Sequence, residues 1–192
     1  MKRVGIWAVG LVVAGLVTAS CAAPAGEPEA AAIAADDASA AATVASVRAI
    51  HDTVKTYVTA TAEQVSEDLY SFQPTDEVRT MGALLGHIAD ASLFFCNGAS
   101  GLEMPDIGNA EEMTSKAELQ QALADAFAFC DSAFDAVDAN ADEAVDFFNA
   151  EHSRVGVLAF NNAHNYEHYG NLVTYMRING MVPPSTQDSG GN

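Results

Sequence analysis

Five histidines, at positions 51, 87, 152, 164 and 168, are the residues of this 192-residue chain best suited to holding an ion. His164 and His168 are four apart, so on a helix their imidazoles leave one face about 5–6 Å from each other. Two such rings can share one ion if a third ligand arrives at the same height. His87 meets that condition: it lies eleven residues before Gly98, and His164 lies eleven after Ser153. If those two positions mark helix ends on one side of a bundle, the rise of about 1.5 Å per residue puts the rings level to within a turn. Three imidazoles without a thiolate favour a borderline divalent ion, zinc ahead of nickel or iron, and leave positions open for water or a small-molecule substrate. That chemistry suits a metal-dependent hydrolase. It also suits a noncatalytic, stress-related metal-binding protein, and a base within reach of the ion separates the two.

Asp90, three residues after His87, is the candidate base, or else a carboxylate that orients a histidine. Glu167 is turned about 100° from His168 and is expected outside the pocket. Asn161 and Tyr175 share the His164/His168 stripe and are expected to line the pocket, with a core amide the alternative for Asn161. His51, on an apolar stripe, reads as a core histidine or one supporting the ligands from behind, and His152, beside Glu151, as a solvated residue. Arg79 and Arg177 fit ion pairs or carbonyl caps better than substrate binding. No nucleophile elbow, phosphate-binding glycine loop, paired-cysteine zinc spacing or EF-hand loop occurs.

Four helical segments must position these residues. Val44, Val47, His51, Val54, Val58, Val65 and Leu69 recur at three-to-four spacing, predicting a first helix that stops near Tyr70, before Pro74. A second runs from Thr80, an N-cap, to Asn97-Gly98, a C-cap. A third opens on the capping box Ser115-Lys116-Ala117-Glu118 and continues to Val137. A fourth runs from Ser153 to Asn179-Gly180, with Pro183-Pro184 barring continuation. No stretch alternates with turn chemistry, so no sheet is expected. The second and third links are each about fifteen residues, long enough to cross a bundle end to end. The fold expected is all-α, a four-helix bundle compatible with up-down-down-up order.

The stretch Asn161-Asn162-Ala163-His164-Asn165-Tyr166-Glu167-His168-Tyr169-Gly170-Asn171-Leu172-Val173-Thr174-Tyr175-Met176-Arg177, with its exit Asn179-Gly180-Met181-Val182-Pro183-Pro184, resembles the last helix of DinB-like proteins. Tyr70 to Asp90, including Phe72-Gln73-Pro74 and Gly86-His87-Ile88, resembles that family's first turn and second helix. The likeness extends over roughly residues 44–184. It implies an up-down-down-up bundle with a divalent metal on three histidines, here His87, His164 and His168. Relatives that transfer or use low-molecular-weight thiols imply a third, less favoured function, a thiol-dependent transferase. Glu167 stands where many members have a further histidine, and Tyr169-Gly170-Asn171 where many have Arg-Gly-Gln.

Residues 1–20 read as an export signal: Lys2-Arg3 is followed by the apolar run Val4–Val17, too short to span a bilayer comfortably. Leu16-Val17-Thr18-Ala19-Ser20-Cys21 resembles a bacterial lipobox, so Cys21 is the expected lipidation site and the protein an anchored lipoprotein facing the periplasm or cell surface. Ordinary cleavage, leaving a soluble periplasmic protein, is the alternative. Residues 21–43, with twelve alanines in Ala22–Thr43, read as a low-complexity tether whose last third could already be fraying helix, and 185–192 as a disordered tail. A formal charge of −18 argues against nonspecific nucleic-acid binding. The membrane is expected as a partner only through the anchor, and a homodimer stays open. With Cys21 consumed, Cys96 and Cys130 remain. Parallel second and third helices would bring them into one half of the bundle, as a disulfide or as two buried thiols.

Overall fold

The structure is a computed structural model that describes residues 27–187, with side chains from residue 38. The expected signal segment and Cys21 lie outside the described residues. Four long helices form the body: α1 (Glu27–Gln64), α2 (Met81–Ser100), α3 (Lys116–Val137) and α4 (Arg154–Ile178). A short α5 (Pro184–Gln187) follows them. Among the described residues no helix is long and apolar enough to cross a membrane.

Contacts between side chains set the helix directions. Arg48, midway along α1, pairs with Asp135 near the end of α3, whereas Gln120 near the start of α3 donates to the Ala62 carbonyl near the end of α1, so these two are antiparallel. Cys96 and Cys130, both in the second halves of their helices, are joined by a disulfide with Cα atoms 5.2 Å apart, so α2 and α3 are parallel. Tyr175 on α4 donates to the Arg79 carbonyl just before α2, whereas Asn161 reaches Cys96, so α4 is antiparallel to α2. The bundle is therefore up-down-down-up. Its core is built from Val54, Val58, Leu85, Ile88, Leu119, Leu123, Phe127, Phe134, Leu158, Leu172 and Met176, all buried.

The helix ends follow local chemistry. Thr80 accepts from the Ala83 amide, Ser115 from Glu118 and Ser153 from Gly156. Three boundaries differ from expectation. α1 begins at Glu27 rather than Val44, because the alanines taken for a tether are the strongest helix formers. It ends at Gln64, and Glu67–Ser71 forms a 3-10 turn whose buried Tyr70 donates to the Ala62 carbonyl at 2.7 Å. α2 passes through Gly98 to Ser100 and stops at Gly101, which has the left-handed φ of 70° a helix terminus uses. Gly98 serves close packing instead, since a Cβ there would collide with the Phe147 ring.

The link before α4 is not all coil. β1 (Ala144–Phe147) and β2 (Ala150–Ser153) pair antiparallel, Ala144 opposite Ser153 and Phe147 opposite Ala150. Phe148 and Asn149 turn the hairpin at φ 50° and 62°. This corrects the expectation of no sheet: the strands have four residues each, too few to display alternation, and a Phe-Asn turn lacks the usual glycine. His152 is exposed on β2. Residues 185–187, expected as disordered tail, belong to α5, where the Ser185 amide donates to the Tyr169 hydroxyl and Gln187 reaches Gln64. Arg177 donates to the Thr186 hydroxyl, fastening the same segment to α4.

Candidate metal centre

α2 and α4 face each other where His87, His164 and His168 stand. The Nε2 atoms of His87 and His164 are 3.2 Å apart, and those of His164 and His168 are 3.0 Å apart. Three nitrogens held by one tetrahedral ion at 2.0–2.1 Å lie about 3.3 Å from each other, so the spacing fits a shared ion. The Nδ1 of His87 donates to the Glu111 carboxylate at 3.0 Å, which leaves its Nε2 bare and aimed at the other two rings. The His164 Nδ1 faces Asn165 Oδ1 at 3.5 Å, and Asn165 in turn donates to the Ser92 hydroxyl at 3.1 Å. Bare lone pairs converging at this range repel unless a cation lies among them. The group could hold a metal ion.

The surroundings favour the uncharged form of His164 and His168. Burial lowers the pKa of His164 from its ordinary 6.5. Burial and then the neighbouring His164 and His87 push His168 down to about 4. Uncharged imidazole is the form that ligates.

Glu111, which the sequence did not single out, is the carboxylate behind the centre. Its Oε2 accepts from His87 and its Oε1 from Arg79 Nε at 2.7 Å. Partial burial opposes its charge, but the bonds from Arg79 and His87 prevail and hold its carboxyl below the ordinary range. A glutamate in a long link carries no periodicity, so only the fold brings it in. Asp90, expected as a base or a histidine-orienting group, is engaged elsewhere: its carboxylate accepts from the Ala110 and Glu111 amides at 3.1 and 3.0 Å. It pins the turn Ala110–Glu112 and so places Glu111. Gly86 lets that turn cross α2, because a Cβ there would overlap the Ala110 carbonyl.

A cavity of about 630 Å³ opens beside the centre, lined by Arg79, Leu84, Glu111, Glu167, His168 and Tyr175, among others. Glu167 thus lies on its wall, not outside it as helical phase suggested, because the pocket spans more of α4 than one stripe. Tyr175 lines the cavity. Asn161 does not: it is buried, with its Nδ2 3.7 and 3.8 Å from the sulfurs of Cys96 and Cys130. His51 is a core residue between α1 and α3, its Nε2 3.2 Å from Asp131, against Phe127 and Phe134.

A sequence profile described as the DinB superfamily matches residues 50–172. The fold is similar to the crystal structure of the DinB-like protein YjoA from Bacillus subtilis, with a TM-score of 0.56 and 18% identity over 71% of this chain and 93% of that one. It is also similar to a DinB-like protein from Bacillus cereus ATCC 10987, with a TM-score of 0.55 and 19% identity over 68% of this chain and 89% of that one. No curated protein matches the sequence.

Proposed function

The chain belongs to the DinB superfamily, and on that premise we propose that it is a metal-dependent hydrolase whose divalent ion, zinc foremost, is held by His87, His164 and His168. The observation that carries this reading is the convergence of three Nε2 atoms, 3.2 and 3.0 Å apart, with the far nitrogen of one ring engaged by Glu111. An ion held there would supply Lewis acidity to acidify water and polarise a carbonyl. The chain's own residues do the rest. Glu111 fixes the His87 tautomer and Arg79 steadies Glu111. In this reading Glu167, on the cavity wall with His168, takes a proton from water and the cavity admits the substrate.

The protein works outside the cytoplasm in this reading. Lys2-Arg3 with the apolar run behind it supports export, Cys21 supports a lipid anchor, and a Cys96–Cys130 disulfide suits an oxidising compartment. Metal analysis of protein purified without a nickel column tests the centre. Near one equivalent per chain is expected, lost in His168→Ala and kept in His152→Ala. Equal retention by both variants overturns the assignment.

A further inference from the structure

Five phenylalanines gather where the hairpin meets α2 and α4. Phe94 and Phe95 come from α2, Phe147 and Phe148 from the hairpin, and Phe160 from α4. Ring centroids are 5.8 Å apart for Phe94–Phe148, 5.4 Å for Phe95–Phe160 and 6.1 Å for Phe148–Phe160. Phe95 and Phe147 are buried, whereas Phe94, Phe148 and Phe160 remain 49%, 60% and 52% exposed. Packing accounts for the first pair only. Phe148 is harder still to explain as architecture: a bulky residue at φ 50° carries backbone strain, and its ring gains little burial in return.

The shelf meets the metal centre through buried Phe95. The Phe95 ring lies 5.3 Å from the His164 imidazole, and Phe160 precedes His164 by one helical turn. The polar cavity with Arg79, Glu167 and Tyr175 opens toward the far end of α4, so the histidines stand between an apolar and a polar region. A formal charge of −18 disfavours both an anionic lipid surface and a second copy of this chain as occupant of the shelf.

We propose that Phe94, Phe148 and Phe160 form the specificity subsite of the three-histidine centre, taking the neutral acyl or aryl group of the substrate while its reacting polar end lies at the histidines. The proposal rests on the metal-centre reading and adds to it which class of molecule the centre serves. The experiment is calorimetric titration of the zinc-loaded full-length folded domain with acetohydroxamate, hexanohydroxamate and octanohydroxamate, which share a metal-chelating head and differ in tail. Wild type should gain about three- to fourfold in affinity per added methylene until the shelf is filled. The Phe148→Ser, Phe160→Ser double variant should bind acetohydroxamate as wild type does and lose the gain with tail length. Failure of acetohydroxamate to bind overturns the metal-centre reading and the subsite with it. Binding of acetohydroxamate with no tail-length gain in wild type overturns the subsite alone. So does a dimer in sedimentation that the double variant dissolves, which would give the shelf to a second copy.

Discussion

Glu111 holds one imidazole through its ring hydrogen and one guanidinium through its other oxygen, so a single carboxylate couples the centre to the cavity rim. Glu111→Ala should weaken zinc binding about 10- to 100-fold, measured by competition with a chelator, while leaving the circular dichroism unchanged. The three depressed histidines give a second outcome. Burial lowers His51, His164 and His168 in the folded chain, whereas the unfolded chain binds protons at the ordinary 6.5. Between about 6.5 and 4 the unfolded state therefore holds more protons, and stability falls as pH falls. Metal-free protein should show a melting temperature that is steady above about pH 7 and declines through pH 5; a rise on acidification would contradict this. His87, His164 and His168 could be picked from the sequence because i, i+4 spacing and helix height are both countable. Glu111 and Asn165 could not, since each meets a ring through a contact that no spacing encodes, and neither could Ser92, which meets Asn165 rather than a ring.

The turn between α2 and α3 is placed by two residues of α2: Asp90 binds its amides and Gly86 gives it room. Gly86→Ala would push the turn outward, destabilising the fold by about 1–3 kcal/mol and detaching Glu111 from His87. Gly170→Ala is the control, because a Cβ there meets nothing within 4 Å and the helix gains a better former. Urea denaturation should separate the two, with Gly170→Ala at or slightly above wild type. Helix interiors were legible in their apolar periodicity, and Thr80, Ser115 and Ser153 named three starts correctly. Misplaced ends came from glycines and alanines with two uses. Gly98 resembles a cap but makes way for a ring, and an alanine tract suits a tether in composition and a helix in propensity.

Across the molecule, the Cys96–Cys130 disulfide binds the helix bearing His87 to its parallel neighbour, closing a loop with sequence separation 34. Replacing both cysteines by alanine should lower stability by about 2–4 kcal/mol, read as a lower urea midpoint. Thiol titration of the unfolded, unreduced domain without Cys21 should find none. The lengths of the links only permitted the parallel arrangement of α2 and α3, since the equally long third link joins antiparallel helices; the order itself came from the resemblance of the helix-two and helix-four motifs. The disulfide and the centre also have an order in time. A chain is made N-terminus first, so α2, the turn with Glu111 and α3 can be clasped together while one imidazole is in place. α4 emerges last and brings the other two. The centre is thus the final feature a nascent chain can complete, and a product truncated before Arg154 would carry the clasp with nothing for it to steady.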